Sequence, residues 1–352
     1  MTNVIHERPG VYSSYDASTA VRGGRAVRTV GVAAKSVSGT AGQVVRLTSY
    51  EMGLSAFGED DAGTPGMSTI LRLLFLGGAS TVAAVRVEGE DYTAAFAALQ
   101  AAEDVQVVVC DSGELTVQQA LRASLESASA ARRERIAVVG MSGASTAELV
   151  ERAKALNSER MVLVGPDGLD SSGKVLPGIF AAAAVAAAAA VTRDPAIPLN
   201  GMPLPGLGGV SAAYGDNEID LLVRGGVTPL EAVGGIVSPV RGITTRTSTG
   251  GADDTTWREL TTILIVDDVI PTIRQSLRSR FCQTKNTAQT RGAIRSQTIV
   301  ELENKLRAEI IDSYSDVTVS VYENDPTVCL VEFSFAVAHG LNQIYLTAHI
   351  TI

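Results

Sequence analysis

The hydrophobic and polar positions of the last eleven residues alternate strictly. Residues 342–352 read NQIYLTAHITI, and every even position from 344 onward is apolar. The apolar residues are Ile344, Leu346, Ala348, Ile350 and Ile352. This period of two is typical of a β-strand with one buried face. Residues 331–337 carry a second run of the same kind, so the sequence predicts two apolar strands near its end.

A terminal strand of this kind needs a cover, because an exposed apolar edge promotes aggregation. Ordering its backbone costs more free energy than burying its apolar side chains recovers. Ladder hydrogen bonds on both edges are therefore needed, and the strand is predicted to lie inside a sheet. Two interpretations remain open: an ordinary C-terminal strand of the chain's own domain, or a strand added to the sheet of another chain.

The first 88 residues are predicted to hold an arm and a β-rich segment. Residues 1–20 have no helical pattern, and Pro9 and Gly10 favour an extended chain with a turn. We therefore predict an extended arm over residues 1–20 and a β-rich segment over residues 21–88. Strands are expected at 26–33, 43–47 and 81–87, and helices at 51–57 and 67–76.

Strands and helices alternate between residues 89 and 215. The strand patterns, such as VQVVVC at 105–110 and MVLV at 161–164, are almost continuously apolar, as expected of parallel strands covered on both faces. Residues 178–191 are apolar without interruption but too short to span a bilayer, which favours a helix buried against the sheet. The pattern predicts an α/β fold over residues 21–215, with helices flanking a mostly parallel sheet.

The remaining residues predict a second domain. Residues 192–215 are rich in Pro and Gly and are interpreted as a connector. Helices are expected at 269–281 and 298–314, followed by a hairpin. We therefore predict an α+β domain over residues 216–340 and a terminal arm strand over residues 341–352.

An ordered set of short motifs resembles the sequences of contractile phage tail sheath proteins. In the first half they are TSYEMGLSAFG at residues 48–58 and FLGGASTVAAVRV at 75–87, and RPGVY at 8–12 resembles the N-terminal arm of that family. In the second half, ITTRT at 243–247 and the single Trp257 resemble the family's C-terminal half. The resemblance covers nearly the whole chain.

The resemblance implies a sheath-type core of subtilisin-like shape and a C-terminal domain with extended terminal arms. It implies a structural, non-enzymatic function, in which hexameric rings of this chain stack into a helical sheath. That sheath would surround an inner tail tube and contract to drive the tube through a cell envelope. Baseplate and tail terminator proteins are further expected partners, in a virion tail or tailocin particle assembled in the cytoplasm of a bacterial host.

The resemblance also implies that both arms join the C-terminal domains of neighbouring subunits in a shared sheet. The residues expected in that sheet are the five apolar positions of the last strand, together with Val11 and Tyr12. Gly10 and Gly340 are the expected arm hinges.

Composition and charge argue against several other functions. A net charge of −9 and a pI near 5.0 argue against general nucleic-acid binding. Cys110, Cys282 and Cys329 are too widely spaced for a zinc site or a disulfide framework, and they suit a reducing compartment. No apolar core opens the sequence, so neither a secretory signal nor membrane insertion is expected.

Two enzymatic alternatives have a partial motif each. Gly168–Lys174 nearly matches a phosphate-binding loop, but Val175 replaces the hydroxyl that would hold magnesium. Ser142 follows a predicted strand as the nucleophile of a serine hydrolase would, but no histidine lies in the α/β region. The segment Ser142–Thr146 is predicted instead as the turn and N-cap of the next helix. We expect no catalytic, cofactor or metal site.

A basic stretch stands out in this acidic chain. Residues 269–300 contain six basic residues and no acidic one. Arg274 and Arg278 are four apart and share one face of a predicted helix, and Arg280 follows. Two interpretations remain open: a solvated helix face, or a face that contacts an acidic inner tube.

Overall fold

The computed structural model describes residues 28–61 and 65–348. The predicted arm residues Gly10, Val11 and Tyr12, and the strand residues Ile350 and Ile352, lie outside the described residues. The described chain divides into two compact units. We call 28–193, 197–260 and 340–348 (without 62–64) the α/β unit, and 194–196 and 261–339 the hairpin unit.

The α/β unit contains short strands and helices in alternation. Its strands are β1 (Thr29–Ala34), β2 (Val44–Leu47), β3 (Val82–Arg86), β4 (Val105–Cys110), β5 (Ile136–Gly140), β6 (Met161–Gly165), β7 (Gly168–Leu169), β8 (Val175–Leu176), β9 (Gly209–Val210), β10 (Val227–Val233), β11 (Ile236–Pro239), β12 (Ser248–Thr249) and β13 (Ala252–Asp253). Its helices are α1 (Tyr50–Phe57), α2 (Met67–Leu76), α3 (Thr93–Ala101), α4 (Leu115–Ala130), α5 (Thr146–Leu156), α6 (Gly178–Val191) and α7 (Asp216–Arg224).

Eight of these strands form one sheet in the order β11-β10-β6-β5-β4-β1-β3-β2. The six inner strands are parallel, whereas β2 and β11 pair antiparallel at the two edges. Strands β1, β5 and β6 are buried along their whole length because helices cover both faces. The predicted α/β fold with a mostly parallel sheet is confirmed.

The helices form a layer on each face of the sheet. Helices α3, α4, α5 and α7 share one apolar core with alternate strand residues such as Val85, Val139 and Leu163. On the other face, α6 packs against the inner strands and α2 packs against α6. Twelve of the fourteen residues of α6 are buried, so its uninterrupted apolar sequence is explained by contact with layers on both sides.

The predicted domain boundary at 215/216 differs from the division of the structure. Strand β10 pairs in parallel with β6, with Val227 opposite Leu163, so it extends the large sheet. The α/β unit therefore continues to Leu260, and the predicted α+β domain of residues 216–340 loses its first 45 residues to it. The sequence does not reveal this boundary because a parallel pairing between distant strands leaves no local signal.

The hairpin unit consists of two helices and two long strands. They are α8 (Leu260–Phe281), α9 (Ala288–Arg307), β14 (Ile311–Tyr322) and β15 (Asp325–Val337). Helix α8 begins nine residues before the predicted start. The prediction of a helix over 298–314 is wrong at both ends, since α9 starts earlier and Tyr314 lies in β14.

The end of α9 explains the second error. Glu309 adopts a left-handed conformation with φ 57°, and the Ile310 N–H donates to the Lys305 carbonyl at 3.1 Å. This conformation and this hydrogen bond are those of a Schellman motif, in which glycine usually occupies the left-handed position. Because glutamate occupies it here, the sequence carries no stop signal at this point.

Asp60 caps helix α2 from the preceding loop. The N-cap residue is Gly66, which has no side chain, and the Asp60 carboxylate accepts from the backbone N–H groups of Gly66, Ser68 and Thr69 at 2.7–3.0 Å. The Thr69 hydroxyl donates to it as well, at 2.8 Å. Burial alone would raise the pKa of Asp60, but these hydrogen bonds outweigh it and place the pKa below its ordinary value.

Removal of this cap is expected to destabilise the α/β unit in a pH-dependent way. Asp60→Ala should lower the free energy of unfolding by about 1–2 kcal/mol near neutral pH, since three N–H groups lose their acceptor. The stabilisation that Asp60 provides is fully present above the ordinary carboxyl pKa of about 3.9. It is lost as the pH falls through the pKa of Asp60 in the folded protein, which is lower. Urea unfolding from pH 7 to 3 measures it, with the exposed neighbour Asp61→Ala as control. Equal effects of the two variants would contradict the capping function.

Candidate functional site

The C-terminal segment of the described chain is exposed and pairs with no strand. Residues 341–348 form no strand with any other described segment. Ile344 is 78% exposed and Leu346 is 90% exposed, although the alternating pattern predicts one buried face. The large aliphatic side chains of this segment therefore have no cover within the described chain.

The hairpin of β14 and β15 has one packed face. The apolar residues of that face, among them Val317, Phe333 and Phe335, pack with α8 and α9 in one core. The opposite face carries mostly polar side chains, with Ser315 opposite Ser334 and Thr318 opposite Glu332 in the register. The alternation predicted for residues 331–337 is confirmed, since β15 spans them.

Both outer edges of this hairpin lack a strand partner among the described residues. The sheet consists of β14 and β15 alone, although its strands are 12 and 13 residues long. Unpaired strand edges of this length are templates for strand addition unless they are covered or charged. Strands 311–337 contain five acidic residues and no basic one, whereas residues 341–352 carry no acidic residue, no lysine and no arginine, and His349 is counted as neutral. An incoming strand of that sequence would add no like charge to the hairpin.

Polar contacts hold α8 and α9 together beneath the hairpin. Lys305 is 2% exposed and forms an ion pair with Asp268 across the two helices. Ser276 donates to Glu301 at 2.6 Å. Tyr314 in β14 donates to Glu303 at 2.5 Å, and that hydrogen bond raises the pKa of the phenol. Removing one partner of a buried ion pair leaves the other charge uncompensated, so loss of Lys305 or Asp268 alone would destabilise the packing of α8 against α9.

The predicted basic residues have different surroundings. Arg274 is half-buried and Arg278 is exposed on α8. Arg280 donates to Gln297 at 2.5 Å, and Arg295 donates to the Val317 carbonyl at 2.8 Å. Within the described part of the chain, Arg278 makes no side-chain hydrogen bond or ion pair. The structure thus leaves Arg278 as the most available member of the predicted set.

Gly340, the predicted hinge, is closely packed. A Cβ at this position would lie 2.9 Å from Cγ of Pro198 and 3.1 Å from its Cδ. Two residues further on, the Asn200 side-chain amide donates to Oδ1 of Asn342 at 2.7 Å. No local pattern in the sequence indicates Pro198 and Asn200, because they are distant in sequence from the segment they contact.

The region around Ser142 lacks the partners of a serine hydrolase. Ser142 is exposed, and no histidine lies among the described residues of the α/β unit. The neighbouring Gly143 N–H, which an oxyanion hole would use, donates to Asp167 at 2.8 Å. Ser145 caps α5 and forms a capping box with Glu148, so the predicted N-cap is confirmed.

The loop at Gly168–Lys174 differs from a phosphate-binding loop. Strands β7 and β8 pair antiparallel across it. The Asp170 carboxylate accepts from the backbone N–H groups of Ser172 and Lys174 at 2.8 and 2.9 Å. The hydrogen bond from the Ser172 hydroxyl is the main cause that lowers the pKa of Asp170, so the carboxylate is ionised at neutral pH. It occupies the groups that would bind phosphate and would repel the anion.

Other site types have no candidate in the described part of the chain. It contains no cluster of three or more histidine, cysteine, aspartate or glutamate side chains that would hold a metal ion. None of the described helices is long and apolar enough to cross a membrane. The candidate functional surfaces are therefore the C-terminal segment, whose apolar side chains are exposed, and the hairpin edges, whose strands are unpaired.

The architecture as a whole is that of solved tail sheath proteins. The helical sheath of the anti-feeding prophage in its contracted state is similar with a TM-score of 0.72 and 16% identity, over 98% of this chain and 99% of that one. A sheath tail protein from Desulfitobacterium hafniense has a TM-score of 0.69 and 13% identity, over 93% of this chain and 100% of that one. One from Listeria innocua has a TM-score of 0.71 and 12% identity, over 90% and 93%. These similarities define the fold.

Sequence comparison identifies the family. Residues 86–245 match the model of the phage tail sheath protein central domain, and residues 252–351 match that of the phage tail sheath C-terminal domain. The tail sheath protein of Bacillus phage SP01 is 32% identical over 252 residues, which cover 70% of this chain and 43% of that protein. The chain belongs to the phage tail sheath protein family.

Proposed function

We propose that this protein is the structural subunit of a contractile tail sheath, which polymerises around an inner tube and contracts to drive the tube through a target cell envelope. The observation that supports it most is the exposed, alternating C-terminal segment, in which Ile344 and Leu346 have no cover. The same unit architecture occurs in a sheath solved in its contracted state, that of the anti-feeding prophage. Neither enzymatic alternative has a supporting observation.

Assembly proceeds by strand addition between copies. The arm strand, residues 341–352, adds to an open edge of the hairpin β14–β15 of a neighbouring subunit, and the N-terminal arm with Val11 and Tyr12 joins the same sheet. Backbone ladder bonds provide affinity, and the apolar positions Ile344, Leu346, Ala348, Ile350 and Ile352 provide register. Both the unpaired hairpin edges and the lack of charge in the arm support this exchange.

The proposed strand exchange connects the copies of the assembled form. Copies form hexameric rings that stack into a helical sheath, ended by a baseplate on one side and a tail terminator on the other. Contraction is a rigid-body rearrangement in which the bodies move and the arms keep the copies connected. The particle is a virion tail or a tailocin, assembled in the cytoplasm of the bacterial host, and it uses no bound nucleotide or other cofactor. One solved relative is a baseplate of the anti-feeding prophage, with a TM-score of 0.71.

Imaging of the purified chain tests this function. Concentrated protein is expected to form striated tubes in negative stain, because each copy presents both an arm and an open hairpin edge. Addition of ATP with magnesium should change neither the yield nor the appearance of the tubes. A protein that stays monomeric at every concentration and salt condition would contradict the proposal.

The basic face of α8 is proposed as the contact with an acidic inner tube. Each contact is weak, because an exposed charge pair contributes about 0–1 kcal/mol, and repetition along the tail holds the extended state. Because each contact is weak, the sheath can release the tube during contraction. Among Arg274, Arg278 and Arg280, the exposed Arg278 is the residue we expect to contribute most.

Reversal of this charge is expected to separate the sheath from the tube. Arg278→Glu should yield contracted sheath without tube, because the substitution replaces an attraction to the acidic tube by a repulsion. Salt at about 150 mM leaves this repulsion largely unscreened at distances below roughly 8 Å. Arg307→Glu, an equal change at an exposed position at the end of α9, is the control and should leave extended tails intact. Cryo-electron microscopy of co-expressed sheath and tube distinguishes the two forms. Extended, tube-filled tails from Arg278→Glu would place the tube contact elsewhere.

A further inference from the structure

The root of the C-terminal segment is attached to the edge of the large sheet. Residues 199–204 form a turn that is bonded to the edge strand β11, with the Gly201 N–H donating to Pro239 at 2.9 Å and the Leu204 N–H donating to Val237 at 2.8 Å. Leu199 is 2% exposed within this turn. The turn is therefore a fixed part of the α/β unit.

Two contacts join this turn to the beginning of the C-terminal segment. Gly340 approaches Pro198 so closely that a Cβ would lie 2.9–3.2 Å from three atoms of the ring. The Asn200 side chain donates to Asn342 at 2.7 Å. The φ of Gly340 is not in the left-handed region, so glycine is required here by proximity and not by conformation.

Among the described residues, no hydrogen bond to the rest of the α/β unit follows the one at Asn342. The Gln343 side chain accepts only a local hydrogen bond, from Tyr345 at 2.9 Å. Leu346, four residues beyond the last contact, is 90% exposed. The transition from a bound to an unbound chain therefore lies between Asn342 and Gln343, two residues after the predicted hinge at Gly340.

We propose that residues 198–200 and 340–342 form an arm anchor, which fixes the point and direction in which each subunit's arm leaves the body, and that the arm pivots after Asn342. This inference rests on the proposed strand exchange with a second copy. An arm fixed at its root reaches the neighbouring hairpin in one register, because a shift of one residue would turn its apolar side chains to the wrong face. Pro198, Asn200, Gly340 and Asn342 are positioning residues for assembly.

A reversible cross-link across the anchor tests where the arm pivots. In a Cys282→Ser background, Asn200→Cys with Asn342→Cys should oxidise readily in the unassembled subunit, whereas Asn200→Cys with Tyr345→Cys should not. The oxidised first pair should polymerise with a critical concentration within about twofold of its reduced form, a difference of less than about 0.5 kcal/mol. A rise of roughly tenfold or more on oxidation would overturn the proposal, because the chain would then have to open at Gly340.

A packing variant tests whether the anchor positions the arm. Gly340→Ala should raise the critical concentration for tube formation roughly tenfold, equivalent to about 1.4 kcal/mol, with an unchanged Tm of the subunit. Pro198→Ala removes the two nearest ring atoms, so the double variant should recover assembly. Asn342→Ala should weaken assembly, and Gln343→Ala, one residue beyond the anchor, should not.

The outcomes separate the anchor from the proposed function. Normal tubes from Gly340→Ala, or no recovery in the double variant, would overturn the anchor while the sheath function stands. Absence of tubes from the unmodified chain would overturn the sheath function. The cross-linking result in the unassembled subunit would still decide whether the anchor exists.

Discussion

Deletion of residues 346–352 is expected to abolish polymerisation and to leave the subunit folded. The described part of the deleted segment is exposed at every residue, and Leu346 is 90% exposed. Removing exposed residues of this kind usually changes the free energy of unfolding by less than about 0.5 kcal/mol. The subunit should therefore retain its Tm and its circular dichroism spectrum.

The loss of assembly follows from what the arm would bury in a neighbour. Leu346, Ile350 and Ile352 would each contribute about 1.5–3 kcal/mol on burial, offset by the cost of ordering the arm. A net loss of only about 3 kcal/mol weakens association more than a hundredfold. Sedimentation of tubes across a concentration series measures the change.

The alternating pattern provides a matched control for the deletion. Leu346→Ser lies on the face predicted to be buried, and Thr347→Ser lies on the other face of the same strand. The first variant should raise the critical concentration strongly and the second should barely change it. Equal effects at both positions would contradict a strand with one buried face, and normal tubes after the deletion would exclude the arm from assembly.

Gly140→Ala is expected to be the most destabilising of the substitutions considered for the folded subunit. A Cβ on Gly140, the last residue of β5, would lie 2.2 Å from the carbonyl oxygen of Gly178 and 2.3 Å from its carbonyl carbon. Both atoms belong to the backbone of α6, which is buried between the sheet and α2 and has no space to withdraw. The two glycines allow the end of the strand and the start of the helix to touch.

The expected cost is at the upper end of the usual range for overpacking, about 3 kcal/mol. For a unit of this size, that change lowers the Tm by roughly 6–12 °C. Gly292→Ala is the opposite case, since Gly292 lies inside α9 and a Cβ there would have no heavy atom within 4 Å other than its chain neighbours and the nearby backbone of the helix itself. It should stabilise the chain by about 0.5–1 kcal/mol, because alanine is the better helix former. If Gly140→Ala and Gly292→Ala changed the Tm in the same direction, this explanation would be contradicted.

The local sequence pattern was sufficient to predict those elements whose start or stop signals lie within a few residues of their ends. Helices α2 and α6 have the predicted bounds, because a mostly apolar segment ends at Gly77 in one and a continuous apolar run begins after Pro177 in the other. The Ser145 cap was predicted for the same reason, since a cap and its helix are neighbours in sequence. The unsuitability of Ser142 as a nucleophile followed from the positions of three histidines alone.

The sequence by itself thus determined the α/β class, the two helices above and the alternation of apolar positions in the last segment, since each depends on periodicity along the chain. Only the tertiary structure decided that β10 joins the large sheet, that Glu309 ends α9, and that Pro198 holds Gly340. Each of these depends on the spatial position of groups that are distant in sequence, or on a conformation that packing imposes against local preference. Hydrophobic periodicity indicates which side of an element is buried, but it does not indicate which segment covers that side. The covering segment determines both the unit boundary and the root of the arm.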